Sequence, residues 1–225
     1  GFMLLGGYTF AILTIPIAER ASVYYIFDGS AINFSLTESM QNLFGGSGVG
    51  GAIGFVIGAI IALICAGLVA AFFAWLIGLP VLKLKSDYLA IATLGFAEII
   101  RAIFQWEALG KVTNGANALK NFPTLASFNI TNSEGQIVLR LSTFVAFAVA
   151  AVCIWLIVLL INSSYGRAFK AIREDEVAAE AMGINLAKHK RMSFIISSFF
   201  AGIGGALLAM FMNQVQAKTF TSTMT

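Results

Sequence analysis

Glu98 and Arg101 stand three residues apart inside an apolar stretch of the chain. On a helix this spacing places both on one face, so the carboxylate and the guanidinium can form an ion pair. Such a pair is costly inside a bilayer and normally faces a bundle interior or a cavity. Two interpretations remain open: the pair, together with Thr93, lines a route for a polar cargo, or it only secures helix packing.

A glycine-rich run at residues 46–51 satisfies the G-x-G-x-x-G pattern of dinucleotide-binding turns. No strand pattern precedes it and a long apolar run follows it, which is the wrong context for that motif. The P-loop pattern G-x-x-x-x-G-K-[ST] occurs nowhere in the sequence. We therefore expect no nucleotide site, no other cofactor, no catalytic residue and no metal site.

The composition is that of a membrane protein. Of 225 residues, 59% are apolar and 11% are charged, and the mean hydropathy is +0.87, far from the usual balance of a soluble domain. Cys65 and Cys153 both lie inside apolar runs, so no disulfide framework is indicated. The net charge of +3 needs no nucleic-acid partner to explain it.

Apolar runs predict five membrane spans, with a short interfacial helix at about residues 36–44. We therefore expect an all-α fold, a polytopic transmembrane helix bundle. No charged leader precedes the first run, so no signal peptide is expected, and we interpret residues 1–225 as one transmembrane domain truncated at both ends. The five runs are residues 1–18, 52–79, 88–106, 142–161 and 192–212.

Small residues recur at every fourth position of the second run. Such stripes let helix backbones approach closely where no hydrophobic effect drives association, although they can also be the bulk composition of a membrane helix. In the last run, Gly202 with Ala206 and Ala201 with Gly205 predict another close-packing face. The first stripe comprises Gly50, Gly54, Gly58, Ala62, Ala66, Ala70, Ala74 and Gly78.

A polar, charge-rich segment, residues 162–191, separates the last two runs. Residues 168–182 within it include five Ala and three Glu, which is the composition of a good helix. The apolar side chains of this helix fall near one stripe and most charged side chains fall elsewhere. The sequence therefore predicts a surface helix suited to insertion into a partner protein.

Basic residues are shared unevenly between the two sides of the predicted bundle. Alternating loops place eight of them on the side of the polar segment and five, in longer loops, on the other side. Because cytoplasmic loops carry the excess of Lys and Arg, the polar segment is predicted to face the cytoplasm. The first set is Lys83, Lys85, Arg167, Lys170, Arg173, Lys188, Lys190 and Arg191, and the second is Arg20, Lys111, Lys120, Arg140 and Lys218.

The run Arg-Glu-Asp-Glu-Val-Ala-Ala-Glu-Ala-Met-Gly-Ile-Asn, residues 173–185, resembles the cytoplasmic coupling loop of ABC importer permeases. The resemblance is to the M-type permease subunit of branched-chain amino-acid transporters. The general importer pattern has Glu-Ala-Ala six residues before its Gly. Counting back from Gly183, this chain has Val-Ala-Ala, residues 177–179, at those positions. The later Ile-x-Leu-Pro part of the pattern is missing. Three further stretches are similar to the same family, residues 88–101, 113–123 and 200–209.

The resemblance implies a permease of an ATP-driven importer of branched-chain amino acids in the bacterial inner membrane, and not an enzyme. Its partners would be ABC ATPase subunits, a second homologous permease subunit, an extracytoplasmic solute-binding protein and the lipid bilayer. Residues 163–190 would be the cytoplasmic coupling loop. Its coupling residues would be Arg173, Glu174, Asp175, Glu176, Ala178, Ala179 and Gly183.

On the other side, the resemblance implies an external loop containing Asn114, Gly115 and Asn117. Its Gly and Asn residues predict a tight turn. The turn can offer backbone N–H groups to a carboxylate, or it can be plain turn chemistry, and both interpretations remain open.

Two other functions remain open at this point. Related permeases carry urea or short amides, and the sequence does not select among these cargoes. The chain can also be a secondary transporter or a structural membrane protein, with Glu98 and Arg101 as a coupling or packing pair. A proton-coupled carrier is expected to show more intramembrane ionisable groups and inverted repeats with broken helices, whereas one pair and no clear repeat are present.

Overall fold

The computed structural model describes residues 1–27, 30–45, 48–82, 86–131, 137–139 and 141–218. The fold is helical, as predicted. The helices are α1 Phe2–Thr14, α2 Ile17–Val23, α3 Leu36–Leu43, α4 Gly48–Val81, α5 Ser86–Gln105, α6 Gly110–Thr113, α7 Leu141–Asn162, α8 Ser164–Glu174, α9 Glu176–Ala181 and α10 Leu186–Met212. Lys83, Lys85, Arg140 and the first two residues of the glycine-rich motif lie outside the described residues.

A short antiparallel hairpin adds two strands that the sequence analysis did not predict. They are β1, Ile130–Thr131, and β2, Ile137–Leu139, and Ile130 pairs with Leu139. Single turns of 3-10 helix occur at Tyr25–Phe27, Glu107–Leu109 and Leu125–Phe128.

Within the described residues, three helices are long and apolar enough to cross a membrane: α4, α7 and α10. Helix α1 has 13 residues, which reach about 20 Å, less than the roughly 30 Å of a hydrocarbon core. It ends before the predicted Ala18 because Ile15 precedes Pro16 and is extended, with ψ 126°. The chain then restarts as α2, so the first predicted span is a shorter helix followed by a turn.

The core is formed by α1, α4 and α10, which pack closely on one another. Ala62, Ala66, Ala70 and Ala74 of α4 are almost fully buried, which confirms this part of the predicted stripe. A Cβ placed on Gly6 of α1 would lie 2.0 Å from the carbonyl oxygen of Gly202 in α10. The helix backbones are therefore in direct contact at this crossing.

The close-packing face of α10 differs by one residue from the predicted face. Gly202, Gly205, Ala206 and Ala209 are buried, whereas Ala201 is only partly buried. Counted from Gly202, the other three lie three, four and seven residues on, which is one face of a helix, and Ala201 lies to the side of that face. Ala201 and Gly205, which were predicted to share one close-packing face, are therefore not both buried.

The glycines in the first half of α4 pack against α3 and not against another membrane-length helix. A Cβ on Gly54 would lie 2.6 Å from the carbonyl oxygen of Met40, and one on Gly58 would lie 3.0 Å from Cα of Thr37. Helix α3 occupies the position predicted for the short interfacial helix. The stripe on α4 is thus continuous, but two different elements fill its two halves.

Polar segments meet at one end of the bundle. The amide N–H of Ala31 donates to the carbonyl of Lys111 over 2.9 Å, and the Tyr24 hydroxyl donates to the carbonyl of Val112 over 2.8 Å. Leu119 pairs with Val215 in an antiparallel bridge. We call residues 17–27, 30–45, 107–128 and 213–218 the clasp. These contacts place all three segments at the same end of the bundle.

Helices α5 and α7 lie at the edge of this core, to which α5 contributes Ile100. Helix α7 has no buried residue in its described part and packs mainly against the turn at residues 125–128 and against α8. Its 22 residues rise about 33 Å from the clasp. Helices α8 and α9 therefore lie at the opposite end of the molecule from the clasp.

Candidate coupling surface and transport route

The polar segment folds as two helices and not as the one helix predicted over residues 168–182. Helix α8 ends at Glu174, and Asp175 is extended, with φ −154° and ψ 112°. Asp is a poor residue for a helix interior because its short carboxylate competes for nearby backbone N–H groups. The prediction was therefore wrong at this residue, although the helices on both sides of it were expected.

Asp175 begins the second helix. Its Oδ1 accepts hydrogen bonds from the N–H groups of Val177 and Ala178, at 2.8 and 3.1 Å. These bonds satisfy two donors that the first turn of α9 leaves free, and the carboxylate lies at the positive end of the helix dipole. Among the predicted coupling residues, Asp175 thus has a structural role in α9.

Gly183 ends α9. Its φ is +84°, its N–H donates to the carbonyl of Glu180 and the N–H of Ile184 donates to that of Ala179, at 2.9 and 3.1 Å. This pair of bonds is a Schellman motif, whose left-handed position favours glycine. A helix of six residues is thereby closed at both ends.

Helix α9 exposes apolar side chains at its surface. Val177 is 78% exposed and Met182 is 84% exposed, while Ala179 is buried against the rest of the protein. Exposed apolar side chains on a capped helix can provide part of a contact surface for a partner. The other predicted coupling residues are all exposed, namely Arg173, Glu174, Asp175, Glu176, Ala178 and Gly183.

Helices α8 and α9 are both held to the start of α10 by contacts that sequence analysis did not predict. Lys190 Nζ lies 2.6 Å from Glu176 Oε2, and the His189 ring lies 6.1 Å from the ring of Phe169 and 6.4 Å from that of Tyr165. No local spacing rule connects residues 176 and 190, because the turn between α9 and α10 decides which side chains meet.

The predicted ion pair is formed on α5. Arg101 Nη2 lies 2.6 Å from Glu98 Oε2, and Arg101 Nε donates to the same oxygen over 2.8 Å. The side chains are 32% and 54% exposed for Arg101 and Glu98. The pair therefore lies beside the α1, α4 and α10 core and not within it, as far as the described residues show.

Thr93, the third residue of the predicted route, lines a cavity of about 210 Å³ between α1, α4, α5 and α10. The rest of the lining is apolar and includes Phe2, Ile77, Ile100 and Phe194. Glu98 and Arg101 are not part of this lining. The structure thus separates an apolar cavity from the ion pair that the sequence analysis had grouped with it.

The predicted external turn is present, but its N–H groups are used internally. Asn114 and Gly115 have φ values of +59° and +58°. The N–H of Asn114 donates to the carbonyl of Gly110 and that of Asn117 to the carbonyl of Asn114, while the N–H of Gly115 donates to Thr113 Oγ1. These three donors hold the turn together and are not free to bind a carboxylate.

Arg20 is the residue of the clasp that sequence analysis missed, since it was counted only as a basic loop residue. It is 2% exposed, and its guanidinium donates to the carbonyls of Ile12 and Phe34, at 2.7 and 2.5 Å, and to that of Ile32. Burial lowers the pKa of Arg20. No sequence signal separates such a buried cation from a solvated one.

The protein defined by this fold is a multi-pass membrane protein, with membrane-length helices and polar elements at both ends. Comparison with known proteins shows the family to which it belongs. The chain belongs to the family described as branched-chain amino acid transport system / permease component, whose sequence profile matches residues 1–225.

Individual relatives agree with the family. The high-affinity branched-chain amino acid transport system permease proteins LivM of Salmonella typhimurium and of Escherichia coli are each 33% identical over 175 residues, which are 69% of this chain and 41% of theirs. A probable branched-chain amino acid transport permease protein LivM of Methanocaldococcus jannaschii is 27% identical over 163 residues, 71% of this chain and 45% of its own length. The chain thus spans less than half the length of these curated relatives. No solved structure matches it.

Proposed function

We propose that the chain is the transmembrane permease subunit of an ATP-driven importer that carries branched-chain amino acids across the bacterial inner membrane. The observation that supports an ATP-driven importer best is the surface of α9, a helix capped at both ends that exposes Val177 and Met182. In this proposal, separate ABC ATPase subunits hydrolyse ATP and bind this surface, and the chain itself is not an enzyme.

Movement would reach the membrane through α10. The ion pair between Lys190 and Glu176 and the Schellman turn at Gly183 tie α9 to the start of α10. Helix α10 in turn contacts α1 at Gly6 and Gly205 with no space for side chains between the backbones. Packed elements of this kind move as rigid bodies, so a push on α9 would displace α10 and α1 together.

The apolar cavity beside Thr93 supports an aliphatic cargo, because its lining offers van der Waals contact to a hydrocarbon side chain. Glu98 and Arg101 remain our candidates for contact with the charged groups of an amino acid. A second homologous permease subunit would complete the route. An extracytoplasmic solute-binding protein would dock on the clasp, where Asn117 is exposed beside the Gly115 turn.

Replacement of Val177 by Asp tests the proposal. A charge in the centre of an apolar contact should abolish co-purification of the ATPase subunits and uptake of radiolabelled leucine. The matched control for ATPase co-purification is Leu43→Asp, because Leu43 is 73% exposed at the clasp end of the molecule, away from α9. Normal ATPase co-purification and leucine uptake by the Val177→Asp variant would overturn the proposed coupling surface.

A further inference from the structure

Basic and acidic residues occupy different parts of the coupling loop. Cations occur on α8 and at the start of α10, while four acids lie between residues 174 and 180. The cations are Arg167, Lys170, Arg173, Lys188, Lys190 and Arg191. The parts of the loop that adjoin the membrane-length helices are therefore basic, and the part farthest from them along the chain is acidic.

Helix α8 lies across the ends of two membrane-length helices. A single residue separates it from the end of α7, and a Cβ on Gly166 would lie 2.1 Å from the carbonyl oxygen of Ile161. On its other side, Phe169 contacts His189 in the first turns of α10. Since α7 and α10 are two of the three helices long and apolar enough to cross a membrane, α8 lies beside the ends of two membrane-length helices.

The two faces of α8 suit the boundary between membrane and water. Ile172 is buried against the protein, and Tyr165 is half-exposed, as aromatic side chains at headgroup level often are. Arg167 and Lys170 are exposed. Neither forms an ion pair with another described residue. The protein covers the apolar side chain of α8, which leaves its basic side chains free to contact lipid headgroups.

We propose that α8 lies in the cytoplasmic headgroup layer and that Arg167 and Lys170 bind the phosphates of anionic phospholipids. Lys188 and Arg191 extend the same basic surface at the start of α10. The negative surface potential that attracts these cations repels the acids of α9, so α9 is directed away from the lipid and towards the ATPase. The proposal rests on the proposed function only for the choice of the cytoplasmic leaflet.

The test compares Arg167→Gln/Lys170→Gln with Lys111→Gln/Lys120→Gln, which removes two exposed cations from the clasp end. Each protein is reconstituted in nanodiscs of phosphatidylcholine alone or of an equal mixture with phosphatidylglycerol. The phosphatidylglycerol retained after extraction is then counted by native mass spectrometry, without amino acid or ATP. We expect the α8 variant to bind phosphatidylglycerol about fivefold more weakly for each cation removed, and the control to match the wild type.

Four comparisons decide the outcome. Equal retention by wild type and the α8 variant would overturn the proposal, and so would equal losses from both variants. Loss of the ATPase subunits with unchanged lipid retention would assign the basic face of α8 to the partner instead. Arg167→Lys/Lys170→Arg, which keeps both charges, should retain wild-type lipid binding and exclude misfolding as the cause. Because no transport is measured, a different cargo would not alter the lipid result.

Discussion

Arg20 holds the clasp together at the scale of a single residue. It is a buried cation that donates to three backbone carbonyls and to the Ser30 hydroxyl, which lies 3.3 Å from Arg20 Nη1. These bonds offset the cost of burying the charge, although Nε of Arg20 has no hydrogen-bond partner among the described residues. The guanidinium therefore joins the end of α1 to residues 30–34, a connection that no apolar side chain could make.

Replacing Arg20 with Met should destabilise the protein by about 3 kcal/mol or more, because the carbonyls of Ile12, Ile32 and Phe34 would be left without their charged donor. Lysine should recover part of the loss, since one ammonium cannot reach all the acceptors of a planar guanidinium. Thermal unfolding of the purified protein in detergent would measure this. Lys111→Met, at an exposed position of the clasp, is the control.

Gly183 is a second residue with a conformational role. Its φ of +84° is unfavourable for other residues, although a Cβ there would meet no atom within 4 Å. Gly183→Val should therefore strain the end of α9 by roughly 1–2 kcal/mol without a steric clash, and Gly183→Asn should do so less. We expect ATPase co-purification to fall in the order Gly, Asn, Val. Equal co-purification by all three would show that the Schellman turn is not needed for coupling.

At the scale of elements, the ion pair between Glu176 and Lys190 decides how firmly α9 is attached to α10. Both side chains are partly exposed, so their contribution to folding should stay below about 1 kcal/mol. Glu176→Lys should nevertheless lower leucine uptake, because two like charges would then push α9 away from α10. The reversed pair, Glu176→Lys with Lys190→Glu, should restore much of the uptake. No restoration would mean that Glu176 acts through the partner and not through Lys190.

The contact between α1 and α10 leaves no room for a side chain at Gly205, whereas the neighbouring Gly204 faces open space. A Cβ on Gly205 would lie 1.9 Å from the carbonyl oxygen of Met3, whereas one on Gly204 would meet no atom within 4 Å. Gly205→Ala should therefore cost about 1–3 kcal/mol or more through overpacking and reduce the yield of folded protein. Gly204→Ala should leave the yield unchanged. Fluorescence-detected size-exclusion chromatography of the two variants would compare them directly.

In the whole molecule, the Glu98 and Arg101 pair lies beside the core. Removal of the pair should therefore affect transport more than assembly. Glu98→Ala should leave the amount of purified complex near the wild-type level and reduce leucine uptake several-fold. The exposed position of Glu98, at 54%, is the reason that little packing should be lost. Parallel loss of complex and uptake would favour the packing interpretation instead.

Patterns that repeat along the chain were predictable from the sequence. The apolar runs predicted α4, α7 and α10, and the small-residue stripe predicted the burial of Ala62, Ala66 and Ala70. Each of these two patterns extends over many residues, so a single residue that departs from the pattern does not change the predicted helix. The break at Asp175 depends on a single side chain that caps a helix, and local composition favoured a helix on both sides of it.

Contacts between distant segments were not predictable in the same way. Whether Arg20 is solvated or buried depends on where residues 30–34 pass in three dimensions. The separation of Glu98 from the cavity beside Thr93 depends likewise on the direction in which each side of α5 points. Periodicity identifies the faces of a helix, but it does not say which neighbour each face meets.

The clasp also affects how the bundle can move. Its hydrogen bonds join segments that follow α1, α5 and α10, so these helices are fastened to one another at that end. In the proposed importer, a displacement applied at α9 would therefore rotate these helices about the clasp. The largest displacements should then occur beside α8 and α9, and the helices should separate least at the clasp.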